Sequence, residues 1–119
     1  MKIAICSTGD KKESIVAKRF ARCEYFMIYD HETLKSSFVE NKARNEASGA
    51  GGKASKNLAD LEVNVVLVPQ LGPKAYDALK AFDIDAYEYN HNVSAHKALY
   101  DYFAKEYNEV TDAKGKGKH

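Results

Sequence analysis

The sequence has few of the features that mark secreted, membrane-bound or nucleic-acid-binding proteins. Two cysteines in 119 residues are too few for a disulfide framework, and a reducing compartment leaves both as free thiols. No apolar run approaches the roughly 20 residues that cross a bilayer, and no secretory signal follows the first methionine. A net charge of +1 provides no broad cationic surface for nucleic acid. We therefore expect a cytoplasmic protein that binds neither membrane nor nucleic acid.

The order of apolar segments predicts a single α/β domain over residues 1–107. Short apolar or β-prone runs predict five strands, over Lys2–Cys6, Cys23–Asp30, Leu34–Asn41, Val63–Pro69 and Ile84–Tyr89, with three helices after the third strand. Strands two and three read as a hairpin, and helical crossovers make the later strands parallel. The result is a mixed five-stranded sheet with strand two antiparallel. Residues 108–119 lack periodicity and are predicted to be a disordered basic tail.

The strand directions bring several reactive or flexible residues to one edge of the sheet. The carboxyl ends of strands one, three, four and five share this rim with the start of strand two and with the helix N-termini. The rim includes Cys6, Cys23 and residues 48–52, 70–72 and 90–92, and His31 falls at the opposite end. Because α/β proteins usually bind ligands outside the carboxyl ends of their strands, the binding site is expected on this rim.

The catalytic motifs that such a rim often carries are incomplete. A cysteine phosphatase would need an arginine where the chain has Lys12, and a P-loop would need other residues in place of Ala47 and Ala54. Strand one has no carboxylate for a two-metal nuclease, and no base is identified for Cys6 as a nucleophile. We therefore expect a binding protein rather than an enzyme.

Glycines before two helices, together with two arginines, predict an anion site. Backbone N–H groups at helix N-termini attract anions, and such termini follow Gly72 and the segment formed by Gly49, Ala50, Gly51 and Gly52. Arg19 and Arg22 add positive charge to the same rim. The alternative interpretation is that these glycines only form turns and helix entries.

The two cysteines and one histidine are candidate metal ligands. Thiolates prefer copper, zinc or iron–sulfur species, so Cys6 and Cys23 are candidates, and His91 is the best-placed histidine on the rim. The alternative is that each cysteine is a small buried hydrophobic residue and that His91 is a solvated loop residue. The absence of a CxxC or tight Cys/His cluster argues against a structural zinc site.

Three segments, MKIAI, SIVAKRFARCEYFMIYD and the stretch from GAGGKASKNLADL to AYEY, together resemble the nitrogenase iron-molybdenum cofactor biosynthesis family. This family includes NifX-like proteins and NifB C-terminal domains. The resemblance implies a three-layer α/β/α fold with a ribonuclease-H-like motif. It also implies binding or carriage of an anionic iron-molybdenum or iron–sulfur type cofactor, or a precursor, with donor and acceptor proteins as partners. The glycine-rich loop, including Ser48, is expected to take part in the cluster site.

The chain also departs from the family pattern at positions that concern the site. Ser48 stands where many relatives have a histidine that could ligate a cluster, Ala21 replaces a usual glycine, and Glu24 replaces a usual proline. Cys23 occupies a position that is Ala or Cys in relatives, and Cys6 replaces a frequent proline. The thiols would then substitute for the lost imidazole. The alternative function is a regulatory or protein-interaction module that has lost cluster binding.

Overall fold

The chain forms a mixed β-sheet with helices packed against it. The computed structural model describes residues 1–89 and 91–111. Its strands are β1 (Lys2–Ser7), β2 (Tyr25–Asp30), β3 (Lys35–Glu40), β4 (Val65–Val68), β5 (Asp85–Glu88) and β6 (Asn108–Glu109). Its helices are α1 (Ala50–Asp60), α2 (Pro73–Ala81) and α3 (Ala95–Phe103), with a short 3-10 helix over Lys42–Asn45.

The sheet topology agrees with the predicted strand directions. The strand order is β3-β2-β1-β4-β5-β6. Strand β1 is parallel to β4, and β4 is parallel to β5. Strand β2 is antiparallel to both β1 and β3. The predicted mixed α/β sheet with an antiparallel second strand is confirmed.

The prediction of five strands is wrong, because β6 adds a sixth at the edge beside β5. This strand is antiparallel to β5, and the Val110 N–H donates to the Ala86 carbonyl at 2.8 Å. Burial of Tyr107 and Val110 on either side of β6 anchors a strand whose own two residues are polar and exposed. Residues 108–111 therefore belong to the folded domain, and residues 112–119 of the predicted tail lie outside the described residues.

Helices cover both faces of the sheet. Side chains three positions apart on a strand point to opposite faces, and Tyr29 and Phe26 of β2 have different neighbours. The ring of Tyr29 contacts Phe103 of α3, with centroids 6.0 Å apart. Phe26 lines a cavity with Leu58 of α1, and α2 packs beside α1. This is the arrangement that three α/β/α layers require, whereas the ribonuclease-H-like motif stays a prediction.

Two glycines of the predicted anion segment have a direct structural purpose. Gly49 precedes α1 with a φ of 71°, a left-handed conformation that favours glycine. Gly51 faces α2, and a Cβ at this position would lie 3.4 Å from the Ala75 Cα atom. The helix geometry therefore accounts for both without a ligand. In the described part of the chain, no helix combines the length and apolar character needed to cross a bilayer.

Candidate functional site

The connection between β1 and β2 folds over the carboxyl rim of the sheet. We call residues 8–24 the rim loop. Its Ala17 N–H donates to the carbonyl of Cys6 at 3.0 Å, which ties the loop to the end of β1. The buried Tyr89 hydroxyl, just after β5, donates a short hydrogen bond to the Ala17 carbonyl. These bonds fix the loop against two parallel strands that are far apart in sequence.

The rim loop forms most of a cavity of about 340 Å³, which we call the cationic cavity. Three cationic side chains line it, whereas Glu24 is its one acidic lining residue. A second cavity of about 320 Å³ adjoins it and shares three of its lining residues. The linings are Thr8, Ile15, Val16, Ala17, Lys18, Arg19, Arg22, Cys23, Glu24 and Asn92 for the first, and Ala17, Lys18, Pro69, Gln70, Tyr89, His91 and Asn92 for the second.

The cations of this cavity have different roles. Nη1 of Arg22 donates to the carbonyls of Arg44 and Glu46 at 2.6 and 2.8 Å, so this guanidinium connects the rim loop to the segment before α1. Lys18 and Arg19 are exposed, and neither forms an ion pair with another described residue. Two of the three cations are therefore available to a ligand, and the third also holds the cavity wall.

The two cysteines lie together at this end of the sheet. Cys6 on β1 is fully buried, and Cys23, which lines the cationic cavity, is nearly so. Burial raises the pKa of the Cys6 thiol well above its ordinary value, and the neighbouring Cys23 raises it further. Burial likewise raises the pKa of the Tyr89 hydroxyl beside them. At neutral pH the Cys6 thiol and the Tyr89 hydroxyl are therefore uncharged, which disfavours Cys6 as a nucleophile.

Asn41 fixes the position of Cys23. Its buried side-chain amide donates to the carbonyls of Ala21 and Cys23, both at 2.9 Å, and lies 3.7 Å from the Cys23 sulfur. Its side-chain oxygen accepts from the Ala43 N–H at 3.2 Å. An asparagine before a short helix is a recognisable N-cap, but the bonds to the rim loop could not be deduced from sequence.

Several predicted site residues do not join these cavities. Ser48, Gly49, Ala50, Gly51, Gly52 and Gly72 line neither of the two. The N-terminus of α3 is also occupied, because its first N–H groups, from Ala95 and His96, donate to the carbonyls of Ser14 and Lys12. The positive charge in these two linings therefore comes from side chains of the rim loop, and the N-termini of α1 and α2 do not contribute to them.

The metal-ligand candidates are brought together only in part. Cys6 and Cys23 are neighbours, whereas the exposed His91 lines the second cavity. Among residues 1–89 and 91–111, no three His, Cys, Asp or Glu side chains cluster closely enough to hold a metal ion. A preformed three-ligand site is thus absent from the described residues. The described residues instead bring three cationic side chains and one thiol to the lining of a single cavity.

Besides Asn41, sequence reasoning missed two residues that shape the site. Lys18 lies in both cavity linings, and its position beside Arg19 in a short basic segment was the available signal. Tyr89 joins the rim loop to β5, but its tyrosine hydroxyl gives no sequence signal for a partner 72 positions away.

Comparisons with known proteins agree with this fold and add a family. The chain is 36% identical over 93 residues to an uncharacterised protein of Methanocaldococcus jannaschii, covering 76% of this chain and 75% of that protein. It resembles the apo form of the orange protein from Desulfovibrio gigas, with a TM-score of 0.88 and 26% identity, covering 93% of each chain. It also resembles the NMR structure of a candidate NifB protein from Thermotoga, with a TM-score of 0.85 and 31% identity, covering 98% of each chain.

The family model described as dinitrogenase iron-molybdenum cofactor matches residues 1–105. The match extends from β1 through α3 and includes both cysteines and the whole rim loop. The chain therefore belongs to the dinitrogenase iron-molybdenum cofactor family.

Proposed function

We propose that this protein binds an anionic metal–sulfur cofactor, or a precursor of one, in the cationic cavity and carries it without transforming it. The observation that carries the proposal is the placement of Lys18 and Arg19 around a cavity with the Cys23 thiol in its wall. Cations attract a multiply charged anion, and a thiol is a soft ligand for the metals of such clusters. The family membership points to the same class of ligand.

In this proposal the charged and sulfur-bearing residues around the two cavities have different roles. Lys18 and Arg19 neutralise the ligand, Arg22 holds the wall, and Cys23 offers sulfur at the surface of the cavity. Cys6 lies behind Cys23, and His91 borders the adjoining cavity. The ligand is cargo that arrives from a donor protein and leaves to an acceptor. A cytoplasmic location, where thiols remain reduced, is part of the proposal.

Anoxic equilibrium binding of tetrathiomolybdate tests the proposal, because this is a small soluble anion of molybdenum and sulfide. We expect saturable binding to the reduced protein that weakens with salt. The double variant Lys18→Gln/Arg19→Gln should bind at least about tenfold more weakly, as charge-assisted hydrogen bonds are lost. The matched control is the exposed Lys35→Gln at the hairpin end of the sheet, which should bind as wild type.

The alternative function, an interaction module that has lost cluster binding, is supported by the exposed Ser48 in the position of the family histidine. Elemental analysis after anoxic purification distinguishes the two functions. Molybdenum or iron with acid-labile sulfide, or saturable tetrathiomolybdate binding, supports carriage. Metal-free protein that binds no tetrathiomolybdate at any salt concentration would overturn carriage and leave the interaction module.

A further inference from the structure

A cavity with a mostly aromatic lining lies beside α3 and shares no lining residue with either rim cavity. Its volume is about 320 Å³, close to that of the cationic cavity. We call it the aromatic cavity, and it is lined by Tyr87, Tyr102, Phe103, Lys105 and Tyr107. We propose that the aromatic cavity binds a quaternary ammonium group. This inference goes beyond the proposed function and does not depend on it.

The rings of the aromatic cavity meet one another like the walls of a box. The plane of the Tyr102 ring is inclined by 76° to that of Tyr87 and by 65° to that of Phe103, with centroids 5.0 and 5.3 Å apart. Rings at such angles border a space from different sides, whereas parallel stacked rings would fill it. A cation is attracted to a ring face within about 6 Å of the centroid. A compact ammonium group in this cavity therefore lies within reach of several rings at once.

A carboxylate beside the cavity supplies the negative charge that complements a cation. Glu109 of β6 lies directly opposite Tyr87 of β5, so the two side chains are on the same face of the sheet. Glu109 is exposed and forms no ion pair with another described residue. Asp85 lies two positions before Tyr87 on the same face, but its carboxylate pairs with Lys80 at 3.3 Å. Glu109 is therefore the carboxylate that is available to a bound cation.

The same carboxylates act on the tyrosine hydroxyls of the cavity. Burial raises the pKa of the Tyr87 hydroxyl, and the negative charges of Glu109 and Asp85 raise it further. Burial also raises the pKa of the Tyr102 hydroxyl, to which Tyr87 and the same two carboxylates contribute. Both rings are thus uncharged at neutral pH and lie in a negative electrostatic potential, which favours a cationic ligand.

Lys105 is the one cationic residue of the lining, and its effect on a ligand has a definite sign. Among the described residues, the cation that lies over an aromatic ring is Lys97, whose Nζ is 5.5 Å from the centroid of Tyr100, and Tyr100 does not line the cavity. The exposed Lys105 therefore does not occupy a ring face. Because like charges repel, Lys105→Gln should bind a cation more tightly than wild type, whereas an anionic ligand would bind more weakly.

An NMR titration with choline chloride tests the proposal. The methyl protons of choline should shift upfield because of ring currents, and the shift should saturate. The matched control ligand is the neutral carbon analogue of choline, in which a tert-butyl group replaces the trimethylammonium group and keeps its shape. We expect this analogue to bind at least about tenfold more weakly. Equal binding of the two compounds, or a choline signal that shows no saturable shift, would overturn the proposal.

Variants of the lining locate the bound cation. Tyr102→Leu keeps an apolar side chain but removes the ring that contacts two others, and it should bind choline at least about tenfold more weakly. Tyr100→Leu in the same helix is the matched control and should bind as wild type. Equal losses in these two variants would overturn the assignment to the aromatic cavity. Circular dichroism and urea midpoints establish that both are folded.

Two exposed charges keep the test decisive if Tyr102→Leu does not fold. Glu109→Gln should bind choline about threefold more weakly, and Lys105→Gln should bind it more tightly by a similar factor. The matched control is Glu62→Gln at the exposed end of α1, which should bind as wild type. Weaker choline binding by Lys105→Gln, or unchanged binding by both Glu109→Gln and Lys105→Gln, would overturn the proposal.

A quaternary ammonium group occurs both in free small molecules and in trimethylated lysine side chains. Choline and an acetylated trimethyllysine amide, titrated in parallel, distinguish these sources, and the compound with the higher affinity identifies the source. Tetrathiomolybdate binding by the same protein separates this inference from the proposed function. Failure to bind choline would count against the inference alone, and failure to bind tetrathiomolybdate would count against the proposed function alone.

Discussion

The carboxyl rim and the α3 face of the sheet carry cavities of similar volume that are held together by different forces. The cationic cavity at the rim, about 340 Å³, is built by a loop that hydrogen bonds fasten to the strands. The cavity beside α3, about 320 Å³, is lined by Tyr87, Tyr102, Phe103, Lys105 and Tyr107. Rings in edge-to-face contact support it, with the Tyr102 centroid 5.0 Å from Tyr87 and 5.3 Å from Phe103.

This difference shows that cavity size alone does not identify a ligand site. The rim brings cations, a thiol and buried polar anchors to one place, which is costly unless every buried polar group finds a partner. The aromatic cavity is supported mainly by packing between rings, and the Tyr107 hydroxyl donates to Asp101 at 3.4 Å. The two regions should therefore respond differently to substitutions: the rim to loss of a polar atom, and the α3 face to loss of a ring.

The largest expected effect is at Asn41, the polar anchor of the rim. Asn41→Ala removes three hydrogen bonds, two of them buried, to the Ala21 and Cys23 carbonyls and the Ala43 N–H, so the free energy of unfolding should fall by about 3 kcal/mol. Urea denaturation measures this loss. As the matched control, Asn45→Ala at an exposed position of the short helix that Asn41 caps should change the stability by less than about 0.5 kcal/mol.

A second substitution at Asn41 separates its two roles. Asn41→Asp keeps the oxygen that caps Ala43 but loses both donors to the rim loop. If the donors dominate, the aspartate variant should be as unstable as the alanine variant. Recovery of wild-type stability by aspartate would show that the cap alone matters, and the proposed contrast between polar and aromatic regions would fail at its strongest point.

A smaller effect is expected on the α3 face. Tyr102→Leu removes two ring contacts and should lower the free energy of unfolding by about 1 kcal/mol. The matched control is Tyr100→Leu in the same helix, where the side chain is 66% exposed and the change should be negligible. Tetrathiomolybdate affinity should be unchanged in Tyr102→Leu. A loss of affinity comparable to that of Lys18→Gln/Arg19→Gln would indicate that the ligand binds beside α3 and not in the cationic cavity.

The smallest effect is a pH dependence at Asp30, at the end of β2 opposite the carboxyl rim. Hydrogen bonds from the Glu32 and Thr33 N–H groups to its carboxylate, the Glu32 bond foremost, lower the pKa of Asp30. The folded-state pKa is below the unfolded one, so this contribution is present above about pH 4 and is lost as pH falls through the folded value. Urea midpoints of wild type and Asp30→Asn should differ slightly at pH 7 and converge toward pH 2. A gap that widens in acid would contradict this sign.

The sequence predicted the rim correctly because strand direction propagates through a parallel sheet. Helix α1 leads into β4, and helix α2 connects β4 to β5. Because such crossovers make these strands parallel to β1, the carboxyl ends of β1, β4 and β5 lie at the same edge of the sheet. Cys6 and Cys23 consequently met at that edge, as expected. The sequence did not predict β6, because a two-residue polar strand carries no periodicity and depends on the burial of Tyr107 and Val110 beside it.

The spacing of apolar residues and the turn residues between the elements were sufficient to predict the helices, five of the strands and their directions, because these features depend on local sequence. Only the tertiary structure decided which side chains line the rim cavities and which hydrogen bonds hold them. In the folded protein Tyr89 forms a hydrogen bond with Ala17, and Asn41 forms one with Cys23. Arg22 contributes to the cavity wall, and Lys18 and Arg19 line the cavity. These choices rest on hydrogen bonds between residues distant in sequence, whose partners are fixed only when the whole sheet is assembled.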